Sequence, residues 1–327
     1  MVWTPKKINV GIAGAAGYTA GELIRVLLNH PNVGQIYAQS ESHSGRPIVS
    51  IHQDLLGETD RLFCLDLNRP DLDIIFLCKG HGKSKAYLDE NPKLKELKII
   101  DLSQDFRISG AHGFIYGLPE IYRESIRKAD HIANPGCFAT AIQLAILPAI
   151  AAQVIESDVH VSGITGSTGA GQALSPTLHY SWRNDNASIY KAFTHQHLEE
   201  IKQSSVQIDS NYDGTINFLP YRGAFTRGII ISAYFTTNLS EAALVSLYDD
   251  FYSDHPFTHT VAYNPDIKMV VNTNKALVSV SKMGNQALVI VVIDNLLKGA
   301  SGQAVQNMNL IFDFEETTGL FLKGSAF

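Results

Sequence analysis

The chain has 327 residues, 45% of them hydrophobic and 18% charged, which is ordinary for a folded globular protein and long enough for two domains. A formal charge of −6 gives no basic footprint for DNA or RNA, so nucleic acid is not an expected partner. Met1–Lys7 lacks the charged-then-apolar pattern of a signal peptide and no apolar run approaches the roughly 20 residues of a membrane span, so the expectation is a cytoplasmic protein without membrane contact.

A strand is expected at Ile8–Ile12, then a glycine turn, then a helix with Ala20, Leu23, Ile24, Leu27 and Leu28 as its apolar residues, then a strand at Gln35–Ala38. The turn contains Gly11, Gly14 and Gly17, and Tyr18 and Thr19 lead into the helix. The spacing G-x-x-G-x-x-G departs from the usual G-x-G-x-x-G. Glycines still let backbone approach a pyrophosphate, and a helix N-terminus stabilises its charge, so this is read as a dinucleotide site rather than a structural turn. An NAD site usually has an acidic residue at the end of the second strand. Here Ser40, Ser42 and Arg46 suit a 2′-phosphate while Glu41 keeps NAD open, and NADP(H) is the expected cofactor. Strands at Asp73–Cys78 and Leu97–Asp101 continue a parallel pattern, and the loops after them contribute His81 and Arg107 as candidates.

Three widely spaced cysteines suggest neither a disulfide framework nor a zinc site. Cys64 and Cys78 lie in apolar runs and read as packing, whereas Cys137 follows the turn Asn134-Pro135-Gly136 and precedes an apolar helical stretch. A thiol at a helix N-terminus is favoured as thiolate, which makes Cys137 the candidate nucleophile against the alternative of an inert buried cysteine. Beyond Pro148 the β-branched runs Val159–Thr165, Gly228–Phe235, Ile267–Val271, Ala276–Ser281 and Ala287–Ile293 predict a second, mainly antiparallel domain with a helix near Ser240–Phe251. The glycine-rich loop holding Ser167 and Gly169 is read as closing over a ligand. His195 and His197, two apart, lack a third metal ligand and would face different sides of a helix, so no metal is expected and one histidine paired with Cys137 is more economical. A last helix with Ala304, Val305, Met308, Ile311 and Phe312 is expected to return to the first domain.

The motifs GAAGYTAGEL, IDLSQDFR, YGLPE, NPGCFAT, GSTGAGQ, THQHLEEI and DNLLKGASGQAVQNMN are spread over the whole chain and together resemble the N-acetyl-γ-glutamyl-phosphate reductase family. That resemblance implies an α/β protein: a Rossmann domain (1–136 and 300–327) plus an α+β catalytic and oligomerisation domain (137–299) of the glyceraldehyde-phosphate and aspartate-semialdehyde dehydrogenase type. It places the nucleophile on Cys137 and the acid/base on His197 or His195, with His197 favoured. It places the pyrophosphate turn on Gly14 and Gly17, the adenosine-phosphate region on Ser40, and the nicotinamide side on Asn295, Gly299 and Ala300; Gly11, Tyr18, Thr19, Ser42 and Arg46 join them as cofactor candidates from the reading of the residues above. Arg107, Arg222, Ser167 and Gly169 are the substrate candidates. FLCKGHGKS, HQHLEE and NFLPYRGAF depart from the family pattern, and the latter two leave the acyl group open between N-acetyl and N-succinyl.

The implied reaction is NADPH-dependent reduction of an acyl phosphate through a cysteine thioester, releasing inorganic phosphate, in a homodimer or homotetramer. The alternatives are the same chemistry on a carrier-protein-bound acyl phosphate, an aspartate-semialdehyde dehydrogenase, and an NADP-sensing regulator without chemistry.

Overall fold

The computed structural model describes residues 7–110 and 112–326, so most of the Met1–Lys7 stretch read above lies outside it. The chain forms two compact units, Met1–Pro135 with Ala300–Phe321, and Gly136–Gly299 with Leu322–Phe327. The extreme C-terminus, expected with the first unit, groups with the second, where the Ser325 N–H donates to the Val271 carbonyl at 3.2 Å.

In the first unit the elements run β1 (Ile8–Ala13), α1 (Tyr18–Leu28), β2 (Val33–Gln39), β3 (Ile74–Leu77), α2 (Ser84–Glu90), β4 (Lys98–Asp101), β5 (Ile115–Tyr116), α3 (Pro119–Arg127) and β6 (His131–Ala133). The sheet order is β2-β1-β3-β4-β6-β5 and every pairing is parallel. Residues of β3 are buried on both faces, which is why the strand reads as a continuous apolar run rather than an alternating one. The order changes direction between β1 and β3, the place where open α/β sheets gather ligands at their carboxyl ends. β5 and β6 are too short for a periodicity signal and are not legible in the sequence.

The second unit begins with α4 (Cys137–Ala151), buried at every position from Phe138 to Ile150. A helix apolar all round must be enclosed. It packs against β10 (Ile229–Thr236), β13 (Gln286–Ile293), α6 (His197–Ile208) and α7 (Glu241–Tyr252), with β7 (Val159–Thr165), α5 (Tyr180–Arg183), β8 (Ser188–Ile189), β9 (Ile216–Arg222), β11 (Thr258–Val261) and β12 (Ala276–Met283) completing the unit. The sheet order is β11-β12-β13-β10-β7-β9-β8, antiparallel except for the β11–β12 and β7–β9 pairs. α8 (Gly302–Ile311) then belongs to the first unit, against α1 and α3.

The strand expected at Ile267–Val271 is a 3₁₀ turn instead. The Asp266 carboxylate accepts the Lys268 N–H at 2.8 Å, and this local turn bond prevails over the β-branched composition. β11 takes the edge position. β9 escapes sequence reading because Pro220 lies inside it.

Pro148 lies within α4 and has no N–H for the Leu144 carbonyl. Tyr252 fills that vacancy: its hydroxyl donates to Leu144 O at 2.6 Å, and the Tyr248 hydroxyl donates to Ala145 O at 2.6 Å. Tyr252→Phe leaves a buried carbonyl unpaired and is expected to cost about 1–3 kcal/mol, read as a lower denaturation midpoint in urea.

Candidate active site

In the first unit Gly14 has φ +82°, and a Cβ there would lie 2.8 Å from the Cys78 carbonyl oxygen. Only glycine fits between β1 and the end of β3. Its N–H and that of Ala15 both donate to Gln39 O, at 3.2 and 2.8 Å, which ties the turn to the end of β2. Gly17 is the N-cap of α1, and a Cβ there would meet nothing within 4 Å, so the helix N-terminus is open to an approaching anion. Tyr18 is exposed and Thr19 half-buried beside it, the Thr19 carbonyl accepting the Ser301 hydroxyl at 2.7 Å. Gly11 is inside β1, paired with Tyr37 and Ile75, and a Cβ there would crowd Leu67 and Leu72, so packing calls for a small residue.

Ser40 and Ser42 follow β2 and both share hydrogen bonds with His43 Nδ1, at 3.1 and 2.9 Å, with Arg46 exposed nearby in sequence. Glu41, the residue that kept NAD open, is paired with Lys79 at 3.0 Å. His81 is exposed and its Nδ1 accepts the Gln104 N–H at 3.1 Å. Asp105, which no sequence signal marks, caps α2 by accepting from the N–H groups of Gly82, Ser84 and Lys85. Arg107 is buried, its Nε donating to Asn134 O at 2.9 Å and Nη2 to Leu102 O at 3.1 Å. These bonds tie Asn134 to the loop after β4. Asn134 is held further by its Nδ2 donating to Ala300 O at 3.1 Å and by Asn307 Nδ2 donating to its Oδ1 at 3.1 Å.

In the second unit Cys137 is the first residue of α4, with Gly136 as N-cap in extended conformation. Gly136 is glycine because a Cβ would lie 2.3 Å from His197 Nε2, so the imidazole rests directly against the residue before the thiol. On the other side a Cβ at Gly299 would lie 2.8 Å from Cys137 Cβ. Glu200, which sequence reading passed over, is buried one turn along α6 from His197. Its Oε2 accepts the Gly136 N–H at 2.9 Å and its Oε1 lies 3.9 Å from His197 Nε2. The i, i+3 spacing of His197 and Glu200 on a helix is the signal that could have found the pair.

The two histidines separate by environment. The His197 N–H donates to His195 Nδ1 at 3.2 Å, so that nitrogen carries the lone pair, and burial with help from Lys191 and Arg222 lowers the His195 pKa to about 4. His195 therefore stays neutral near pH 7, walled by Phe138, Tyr190 and Phe218 rings at centroid distances of 5.5–5.8 Å. Burial raises the Tyr190 hydroxyl to about 12, the charge of Cys137 adds to the rise, and Arg222 opposes it. The Arg222 guanidinium carbon stands 4.6 Å over the Tyr190 ring, and its buried Nε has no hydrogen-bond partner among the described residues. An orphaned cationic donor is what an anionic substrate group would satisfy.

Arg222 is in register with Thr165 at the ends of the parallel β7–β9 pair, next in sequence to the turn holding Ser167 and Gly169. That turn is anchored, not loose: Ser167 N–H donates to Phe225 O at 2.8 Å and Gly169 N–H to Gly166 O at 3.3 Å. Asn295 is buried with both ends of its amide engaged, Oδ1 accepting the Gly228 N–H at 2.7 Å and Nδ2 donating to Thr168 Oγ1 at 3.0 Å. These two bonds hold the turn. Asp294 next to it is fully buried and paired with Arg227 at 2.9 Å.

His195 also gives a stability prediction, shared by buried His30, whose pKa is lowered by burial. Free histidine titrates near 6.5 and folded His195 near 4, so the unfolded chain takes up the proton first as pH falls. The stabilisation is intact above pH 6.5 and is lost progressively toward pH 4, by about 3 kcal/mol for His195. Urea melts of wild type and His195→Gln at pH 7 and pH 4.5 should show the variant with the flatter pH dependence.

Among the described residues no cluster of His, Cys, Asp and Glu could hold a metal ion, and no helix is long and apolar enough to cross a membrane. Comparison with known proteins matches residues 9–129 to the semialdehyde dehydrogenase NAD binding domain and 137–295 to the semialdehyde dehydrogenase dimerisation domain. N-acetyl-gamma-glutamyl-phosphate reductase of Parabacteroides distasonis is 52% identical over 321 residues, covering 98% of this chain and all of the relative. The enzyme of the same name from Bacteroides fragilis is 51% identical over the same shares. In structure the chain resembles aspartate semialdehyde dehydrogenase II from Vibrio cholerae, complexed with ASA, with a TM-score of 0.73 at 19% identity over 94% of this chain and 99% of that one. Aspartate semialdehyde dehydrogenase with NADP from Candida albicans gives a TM-score of 0.65 at 12% identity over 94% and 99% of the two chains, a likeness of fold. With full-length identity at this level, the chain belongs to the N-acetyl-γ-glutamyl-phosphate reductase family of semialdehyde dehydrogenase-type oxidoreductases.

Proposed function

We propose that this chain reduces N-acetyl-γ-glutamyl phosphate to N-acetylglutamate 5-semialdehyde, with release of phosphate, in arginine biosynthesis. The observation that carries the reading is Cys137 at the N-terminus of α4 beside a His197–Glu200 pair on α6. The Cys137 thiolate attacks the acyl carbon, the carbon–sulfur bond forms and phosphate leaves. NADPH, when bound, supplies the hydride that reduces the resulting thioester. His197 protonates the oxygen that develops, then receives that proton back as the hemithioacetal collapses to aldehyde and free thiolate. Glu200 stabilises the imidazolium, and Arg222 binds an anionic group of the substrate. Ser40, Ser42 and Arg46 would hold the 2′-phosphate, and the engagement of Glu41 by Lys79 supports NADP(H) over NAD(H).

A second reading of the acyl group rests on Arg222: beyond phosphate and α-carboxylate, a succinyl substrate brings a third anion, which the unpartnered Nε of Arg222 could receive. Phosphate-dependent reduction of NADP by N-acetyl- and N-succinyl-glutamate 5-semialdehyde, assayed side by side, tests both. Turnover is expected with the N-acetyl compound; turnover with the N-succinyl compound alone establishes the second reading, and turnover with neither refutes the assignment. We further propose that the protein is a homodimer or homotetramer joined through the face of the second sheet left by α4, α6 and α7. Alternate residues of β7 and β10 are partly exposed there, with Tyr234 stacked on His160 at 5.0 Å. The three free cysteines suit a reducing, cytoplasmic setting.

A further inference from the structure

We propose that His52 is a positioning residue for the dinucleotide, aiming the glycine turn at the pyrophosphate. The proposal rests on the reading of the first unit as an NADP(H) site. His52 lies in the connection after β2 and is 7% exposed. Its Nε2 is 2.8 Å from the carbonyl oxygen of Ala15, in the middle of the turn between Gly14 and Gly17. A carbonyl oxygen only accepts, so Nε2 carries the hydrogen and donates.

The consequence follows from peptide geometry. In a trans peptide the C=O and the next N–H point in opposite directions. Fixing the Ala15 carbonyl toward His52 therefore turns the Ala16 N–H the other way, away from the body of the unit. Gly17, the next residue, has open space beyond its Cα and begins α1. Ala16 N–H is thereby added to the donors at the helix N-terminus, where an anion is held by backbone groups.

The ring's own place is built in. A Cβ at Gly21 would lie 2.5 Å from His52 Nδ1 and 2.8 Å from Cε1, so the fourth glycine of the stretch is required by this imidazole and not by the cofactor. Phe63 closes the other side at a centroid distance of 6.3 Å. The backbone is pinned as well, with His52 N–H donating to Ile48 O at 3.0 Å and Leu55 N–H to His52 O at 3.1 Å. The Gln39 carbonyl holds the turn through two N–H groups. His52 is the complementary donor that fixes the orientation of the next peptide, Ala15–Ala16.

The test is NADPH affinity of the purified full chain, measured by protein-to-nicotinamide fluorescence transfer, for wild type, His52→Ala and His52→Gln. Glutamine can place an amide N–H near the position of Nε2. His52→Ala is expected to weaken NADPH binding roughly tenfold, His52→Gln to recover to within about threefold of wild type, and adenosine 2′-phosphate, which lacks the pyrophosphate, to bind all three alike. Unchanged NADPH affinity in His52→Ala overturns the proposal, as does an equal loss of adenosine 2′-phosphate binding or a failure of glutamine to rescue. A wild-type chain that does not bind NADPH at all overturns the dinucleotide reading and this proposal with it.

Discussion

Cys137→Ser is expected to lower phosphate-dependent turnover by roughly 10³-fold or more while leaving NADPH affinity and thermal midpoint unchanged. The substitution exchanges one atom at the first position of α4, and α4 is held by its apolar surface and by Tyr248 and Tyr252, none of which the exchange touches. The loss would thus be chemical. A hydroxyl gives up its proton far less readily than a thiol, and the oxygen ester it forms accepts hydride less readily than a thioester. His197 and Glu200 remain in place, so any residual rate reports what the pair does without sulfur. Trapping of acylated Cys137 by intact-mass measurement, with hydride transfer blocked by omitting NADPH, should give a single adduct in wild type and none in Cys137→Ser. Turnover within tenfold of wild type in the serine variant would remove the covalent step from the proposal.

Much of this arrangement is written locally in the chain. The Gly14–Gly17 turn, the apolar helix after Cys137 and the long strands of the second sheet each carry a period or a turn signal that physics converts directly into structure. What escapes has a common cause: it depends on residues far apart in sequence. Asp105 caps a helix that begins 21 residues earlier, His52 supports a carbonyl 37 residues away, and Tyr252 completes a helix 108 residues away. The same limit hides contacts of the candidate residues. Arg107, Asn295 and Gly11 were legible as residues at strand ends or near glycines, but their partners, the carbonyls of Asn134 and Leu102, the Gly228 N–H and the side chains of Leu67 and Leu72, follow only from the fold. Ile267–Val271 shows the converse, a β-branched run whose fate is decided by one neighbouring aspartate.

His197→Asn is expected to reduce kcat by about 10²–10⁴-fold, with a much smaller loss for His195→Gln. The difference follows from their surroundings. His195 is held neutral by burial, and its Nδ1 is occupied by a backbone N–H, so it neither stores nor returns a proton in the physiological range. His197 has the Glu200 carboxylate 3.9 Å from Nε2, beyond hydrogen-bond distance but close enough for the imidazolium to be favoured electrostatically once it forms. Glu200 cannot turn fully toward it, because Oε2 is engaged by the Gly136 N–H at 2.9 Å. One carboxylate thus fixes the peptide before the nucleophile and faces the base that serves it. Glu200→Gln should keep the bond to Gly136 and lose the charge, lowering kcat with little change in KM. Gly136→Ala attacks the same contact sterically: its methyl would fall 2.3 Å from Nε2, so the ring must leave, and kcat should drop to the level of His197→Asn. If Gly136→Ala and His197→Asn are each severe and the double variant is no worse than either, the imidazole at that position is the group both remove. Additive losses would place the proton donor elsewhere.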